Sequence, residues 1–432
     1  MCLSSKMWIE NYSAIFISAL FIFYKCSLDY KIFGCKVNKY YLNKWLNYFS
    51  NHESIPNSCI IATCVVTDRA KDKFIKETLV QLAEWKHVYL TWCAVFDEWK
   101  KMDDDKFYSI YPQLAEYRDN ITLLSEEPDR DDTRETKTHK FKENANIYTK
   151  NFIVIQNGCD SHCSFCLTVS KRWPSQSISA DEIVEQIDDF VDVWGKEIVI
   201  TWVNLAARGC SSTKKPEESQ FSELLQYILD ETNIERIRIS SLWPEFLDEK
   251  FFEVVKNPRF LPHFHFSIQS FSDNVLKAMN RNYDSQRLDY ILTKIRNLDR
   301  PDKDQISIWA DIIVWFAWET DEDFQQTVEW IKKYKITKLH AFPFSSHDKW
   351  ESIPAHLFKN QVPFHIKKQR ERELISVWNE IREKFIAENK WLAQKVLVEE
   401  KKNGKWRWWT GNYIQVELDW DYKRGEIVEI VL

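Results

Sequence analysis

Cys159, Cys163 and Cys166 stand in the spacing C-x-x-x-C-x-x-C, with the aromatic Phe165 directly before the last of them. Three thiolates on one tight loop can hold three irons of a 4Fe-4S cluster and leave the fourth iron open, whereas a structural zinc site needs a fourth ligand from elsewhere. A second set, Cys35, Cys64 and Cys93, is evenly spaced at 29 residues, about the length of one β-α repeat. Each member follows a short β-like run: KIFG, CIIAT and HVYLTW. In an open parallel sheet the carboxyl ends of neighbouring strands line one crevice, so these thiols are expected to converge there. The plainer alternative is three small buried residues at strand ends. Cys2, Cys26, Cys59 and Cys210 fit neither set and read as ordinary thiols. Ten cysteines without the dense spacing of secreted scaffolds imply a reducing compartment, and a cytoplasmic location is expected.

The elements that must position these residues follow from periodicity. From residue 30 onward short apolar runs alternate with longer helical periods, the pattern of parallel sheets with crossover helices. A first α/β domain is expected over 31–128, after an extension of uncertain role at 1–30. A linker follows over 129–147, most of it the polar, aperiodic run DRDDTRETKTHKFK. The next block, 148–375, offers strand candidates at 152–156, 197–202, 236–242, 263–269, 306–316 and 338–344, separated by helical stretches such as 180–193 and 221–230. Six units predict a partial (β/α)6 barrel with its chemistry at the C-terminal ends of the strands. Residues 376–432 supply a connecting helix and β-rich runs that suit a small β-barrel.

Composition sets the outer limits. At 432 residues, 29% charged and 44% hydrophobic, the chain is long enough for more than one core, which excludes a peptide, a disordered tail or a membrane bundle. Basic residues number 59 against 65 acidic, so a nucleic acid would have to be held by a local basic patch. The apolar run at 14–24, AIFISALFIFY, is too short to span a bilayer and reads as a buried element or a mis-set start. No membrane partner is expected. Glycine is the anomaly, at 7 residues against 20 tryptophans, where glycine ordinarily supplies about 7% of a chain.

The loop GCDSHCSFC resembles the radical S-adenosylmethionine signature, and residues 31–432 as a whole resemble a methylthiotransferase. The segments that carry the likeness are GCKVNKY, ATCVVTDRA and TWCA around Cys35, Cys64 and Cys93, then TWVNL from Thr201, SSLWPE from Ser240, SIQSFSD from Ser267, MNRNY from Met279 and DIIVWFAWE from Asp311. The resemblance implies an α/β protein: an N-terminal open parallel α/β domain, a radical-SAM partial (β/α)6 barrel and a small TRAM-like C-terminal β-barrel. It implies two 4Fe-4S clusters, a catalytic one on Cys159, Cys163 and Cys166 and an auxiliary one on Cys35, Cys64 and Cys93. S-adenosylmethionine is the implied cosubstrate, with Asn204, Ser240, Gln269 and Asp311, at or near strand ends, as candidates for lining its pocket. Each of these four is equally readable as a strand-end polar residue satisfying a turn.

The chemistry implied is reductive cleavage of S-adenosylmethionine to a deoxyadenosyl radical, loss of hydrogen from adenine C2, sulfur delivery from the auxiliary cluster and methyl transfer from a second S-adenosylmethionine. GCKVN at 34–38 resembles the branch acting on threonylcarbamoyl-adenosine beside the tRNA anticodon. Branches acting on isopentenyl-adenosine or on a ribosomal protein, or an inactive iron-sulfur RNA-binding protein, are the alternatives. The implied partners are tRNA, an electron donor such as a flavodoxin or ferredoxin, and a sulfur donor that the sequence does not identify. For RNA the candidates are Lys401, Lys402, Lys405 and Arg407, interleaved with aromatics, although a solvated charged hairpin is the competing reading.

The same pattern bears on the tryptophans. Trp92, Trp173, Trp202, Trp309, Trp315, Trp318 and Trp350 all fall where the family carries glycine. Seven changes in one direction imply a gene that reads UGA as glycine, shown here with UGA as tryptophan; divergence in a degenerate copy is the alternative. Phe271, where glycine is also expected, is not explained by recoding.

Overall fold

A computed structural model of the chain describes residues 28–34, 36–52, 54–97, 100–125, 128, 149–171, 174–201, 203–344, 354–358, 362–402, 405–418 and 422–432. The apolar run at 14–24, most of the expected linker and Cys35 lie outside them. No helix among the described residues is long and apolar enough to cross a membrane.

The first domain is a parallel sheet of β1 (Asp29–Ile32), β2 (Ser58–Thr63), β3 (His87–Trp92) and β4 (Ile121–Leu123), in that order. The central strand β2, SCIIAT, is buried at every position, as a parallel strand covered on both faces must be. Its alternating side chains serve two cores. Ile60 and Ala62 pack with Leu42 and Trp45 of the helix Lys36–Asn51, while Cys59 and Ile61 pack with Phe74 and Leu82 of the helix Asp68–Ala83. The second helix starts where Thr67 Oγ1 accepts a hydrogen bond from Ala70 N, a side-chain cap for an otherwise unpaired donor.

The second domain has six parallel strand positions, as the periodicity predicts. They are β5 (Asn151–Val154), β6 (Glu197–Thr201), β7 with β8 (Arg236–Ile239 and Ser241–Leu242), β9 (His263–Gln269), β10 (Ser307–Val314) and β11 (Lys338–Pro343). The third position, expected as one run over 236–242, is interrupted at Ser240. β7 closes the ladder β5-β6-β7, and β8 opens the ladder β8-β9-β10-β11. Among the described residues no ladder joins β5 to β11, so the barrel has a seam. The helix Lys36–Asn51 lies along β5 at that seam, with Tyr41 Oη donating to Asn157 Oδ1 at 2.8 Å and Val37, Tyr40 and Tyr41 built into the barrel core.

The C-terminal part differs from expectation in two respects. The helix Phe364–Glu388 runs straight through the expected domain border at 375/376. The strands β12 (Ala393–Lys402), β13 (Lys405–Thr410), β14 (Gln415–Leu418) and β15 (Ile427–Val431) then form an antiparallel sheet in the order β14-β13-β12-β15. No ladder joins β14 to β15 among the described residues, so closure into the expected small barrel is not seen there.

This sheet covers the N-terminal mouth of the barrel. Arg238 on β7 donates to Gly411 O at 2.8 Å and lies 3.7 Å over the Tyr413 ring, and Arg236 donates to Lys395 O. Tyr413 also packs against His263 and Trp309 at the starts of β9 and β10. Both arginines meet Glu197 at 2.9 and 3.0 Å, and Lys150 pairs with Glu399 at 2.6 Å. Burial alone would push the Glu197 carboxyl up, but Arg238, Arg236 and Lys150 overcome it and hold it well below the usual carboxylate range.

Candidate active site

The C-x-x-x-C-x-x-C loop leaves the C-terminal end of β5 and ends at the short helix Thr168–Lys171. Its entry requires Gly158: φ is +81°, and a Cβ there would sit 2.2 Å from Pro174 O. Cys159 and Cys163 are buried and Cys166 is half-buried, all three as free thiols. The loop is gripped from the MNRNY segment. Ser164 N and Oγ donate to Met279 O and Ala278 O, and Asn280 Nδ2 donates to His162 O at 2.7 Å.

Left to themselves, the buried thiols stay protonated. Burial pushes the Cys159 thiol up, and the neighbouring Cys163 and Cys166 push it further. Burial likewise raises Cys163, to about 11, against the opposing pull of Arg281. Buried sulfurs that resist ionising on their own become thiolates when soft metal takes the proton's place.

The second set sits on the corresponding edge of the first sheet. Cys64 and Cys93 directly follow β2 and β3, and Gly34, which precedes Cys35, abuts Cys64 so closely that a Cβ would meet its Cβ at 2.8 Å and its Sγ at 2.9 Å. Thr63 stitches the edge together, its Oγ1 donating to Thr91 O at 2.8 Å and accepting from Ala94 N at 3.0 Å. Cys93 packs against the same apolar core that contains Cys159 and Cys163 and is contacted by Cys166. Lys171 of the cluster loop pairs with Asp97 of the first domain at 2.5 Å.

Three of the four proposed pocket residues stand at the strand ends. Asn204 follows β6, with Nδ2 donating to Ser161 Oγ of the cluster loop at 3.2 Å, while its Oδ1 is buried without a partner. Ser240 sits in the break between β7 and β8, its Oγ also buried and unpartnered, as is Gln156 Oε1. Buried polar atoms without partners are rare and mark places where a ligand can supply the missing bonds. Gln269 ends β9 at φ +70°.

Asp311 departs from the expectation, because it lies in the middle of β10 and its carboxylate is already engaged. His265 Nε2 and His340 Nδ1 both donate to its Oδ1, at 2.8 and 3.0 Å, and the hydroxyls of Ser241 and Ser267 approach Oδ2. Burial would raise this carboxyl, yet the two imidazoles hold it well below the usual range. The trio has the donor set of a small metal site, and its geometry is equally satisfied by these hydrogen bonds. Sequence reasoning passed over His265 and His340. The alternate-residue pair in HFHF, two polar side chains on one face of an apolar strand, was the available signal. For RNA, the side chains of Lys401, Lys402 and Lys405 lie outside the described residues, and Arg407 pairs with Glu417 at 3.2 Å.

Among the described residues five tryptophans occupy positive φ: Trp85, Trp194, Trp315, Trp318 and Trp391, between +59° and +73°. Trp315 and Trp318 follow β10 at the active mouth and are two of the seven positions flagged by the sequence. Trp309 is extended within β10 and well packed, and Trp173, Trp202, Trp350 and the Trp92 side chain lie outside the described residues.

A six-strand parallel barrel with a three-thiol loop after its first strand defines a radical S-adenosylmethionine enzyme, and the Radical SAM superfamily model matches residues 153–331. A threonylcarbamoyladenosine tRNA methylthiotransferase of Thermotoga maritima is 31% identical over 360 residues, 78% of each chain. The Rickettsia prowazekii enzyme of that name is 29% identical over 93% of each. A tRNA-2-methylthio-N(6)-dimethylallyladenosine synthase of Endomicrobium trichonymphae is 32% identical over 61% of this chain and 60% of its own. The chain belongs to the radical S-adenosylmethionine methylthiotransferase family, which uses S-adenosylmethionine and two 4Fe-4S clusters.

Proposed function

We propose that the chain is a tRNA methylthiotransferase that converts N6-threonylcarbamoyladenosine next to the anticodon into its 2-methylthio derivative. Cys159, Cys163 and Cys166 hold one cluster, and Cys35, Cys64 and Cys93 hold the other. The observation that carries this reading is the tie between the two thiol-bearing edges: Lys171, in the short helix after Cys166, pairs with Asp97, four residues after Cys93. Sulfur donation to a carbon activated at the first cluster requires that proximity. Bound at the loop, a cluster with one open iron supplies the electron and the coordination site for cleaving S-adenosylmethionine.

The protein's own part is binding, orientation and exclusion of water. Asn204 Oδ1, Ser240 Oγ and Gln156 Oε1 offer hydrogen bonds to S-adenosylmethionine, and Asn204 fixes that end of the pocket to the loop through Ser161. Gln269 closes the same rim. Asp311, held ionised by His265 and His340, serves deeper in the lumen.

The test is mass spectrometry of tRNA nucleosides from a host lacking its own enzyme, with and without this gene. Appearance of 2-methylthio-N6-threonylcarbamoyladenosine is expected. A methylthio mark on isopentenyl-adenosine, or on a ribosomal protein with unchanged nucleosides, would reassign the substrate. Two assembled clusters with no methylthio product anywhere would identify an inactive RNA-binding protein.

A further inference from the structure

Arg281, the central residue of MNRNY, is buried and held on four sides. Its Nε donates to Tyr283 Oη at 3.0 Å, its Nη2 to Ser267 O at 3.0 Å, and its Nη1 points at Cys163 Sγ at 3.4 Å. The guanidinium lies 3.7 Å over the Trp243 ring. Tyr283 is itself anchored, donating to Ile268 O at 2.7 Å. A planar cation this fully fixed cannot turn away from the sulfur it faces.

We propose that Arg281 sets the reduction potential of the cluster held by Cys159, Cys163 and Cys166, an inference that rests on those ligands being correctly assigned. The chemistry is a one-electron step. A low-potential donor protein of the flavodoxin or ferredoxin class would give up one electron, and a cluster held by these three thiolates would take it up without a change in its ligands. The added negative charge is shared by the cluster sulfurs, including Cys163 Sγ. An N–H donor and a fixed positive charge against that sulfur stabilise the reduced cluster more than the oxidised one. Arg281 therefore makes the cluster easier to reduce. Its neighbours Met279 and Asn280 hold the loop backbone, so the segment separates two tasks: backbone and amide groups brace the loop, and the guanidinium acts on the electron.

The experiment uses full-length protein carrying Cys64→Ala, anaerobically reconstituted so that only one cluster is present, and followed by EPR during a potentiometric titration. The parent should bind about four irons, as one such cluster requires. Arg281→Gln should keep that iron and lower the reduced-to-oxidised ratio at fixed potential roughly tenfold, a midpoint about 59 mV more negative for a one-electron couple. Arg281→Lys, which keeps the charge and loses the fork, should shift less. Tyr283→Phe, which leaves the guanidinium in place but frees its Nε, should shift least and in the same direction.

Unchanged midpoints in all three variants with intact iron would overturn the proposal. Loss of the cluster in all three would also overturn it, by showing that Arg281 only braces the loop. A parent that binds no iron would instead refute the ligand assignment, so the two failures are distinguishable.

Discussion

The indole is the wrong side chain for the backbone it occupies at five places. Trp85 and Trp194 lie one residue beyond the C-caps Glu84 and Val193, at the position where helices turn left-handed and glycine is favoured, and their rings are 90% and 78% exposed. An exposed side chain gains no burial to offset a left-handed φ that costs about 1–2 kcal/mol. Neither position belongs to the seven flagged by family comparison, so the backbone and the motif comparison point to glycine independently. The codons for Trp85, Trp194, Trp315, Trp318 and Trp391 are expected to be UGA, with glycine in peptides from the native cell; UGG codons or native tryptophan would refute recoding. Converting the exposed Trp85, Trp194 and Trp391 to glycine should raise stability by about 1 kcal/mol each, roughly additively because the three lie in different domains, as a shift in the denaturant midpoint shows. At the pocket, Asn204→Ala and Ser240→Ala should each weaken S-adenosylmethionine binding about fivefold, the worth of one net hydrogen bond, in anaerobic calorimetry.

Among the elements, strands read more clearly than their connections. Short runs such as EIVIT and HFHFSIQ between helical stretches announce parallel strands, and even spacing points to one sheet edge, where Cys64 and Cys93 directly follow β2 and β3. The break at Ser240 was hidden, since the seven-residue run RIRISSL reads the same whether it serves one ladder or two. The engagement of Asp311 was hidden for a related reason: its histidine partners lie 46 and 29 residues away and meet it only through strand register. The contact between the C-terminal sheet and the barrel base was equally unreadable, because Gly411 and Tyr413 become meaningful only once the 410–414 turn lands on Arg238 and His263.

That contact predicts a pH effect. Glu197 has a folded pKa below its unfolded value of 4.5, so its contribution is complete above that value and is lost as pH falls through the lower folded one. Hydrogen exchange between pH 7 and pH 3 should show β12 to β15 losing protection before β9 and β10. Glu197→Gln at neutral pH should cost about 3–5 kcal/mol, because it leaves two guanidiniums buried without their counter-charge. Equal protection of sheet and barrel at pH 3 would remove Glu197 from this role.

At the scale of the whole molecule, the first domain meets the barrel near the thiol sets, while the C-terminal sheet closes the barrel's opposite end. The intact protein should bind about eight irons after anaerobic reconstitution. Replacing Cys159, Cys163 and Cys166 together by alanine should halve that content and abolish cleavage of S-adenosylmethionine. Cys64→Ala should leave cleavage intact and stop sulfur insertion. Full iron retention in the triple variant, or wild-type product from Cys64→Ala, would sink the corresponding assignment.

A sheet covers the barrel's base, a helix lies along its β5 flank, and the C-terminal half of β11 is exposed. A purine stacked within an anticodon arm is a flat edge a few ångströms thick between its neighbours, and it cannot present C2 to groups recessed inside a barrel. The proposed nucleotide must therefore be swung out of its stack, at a cost of a few kcal/mol that falls for bases already unpaired in a loop. The way in thus acts as a sieve on RNA conformation as well as on base identity: a modified adenine in a hairpin loop can pay that cost, and the same adenine within a duplex is excluded.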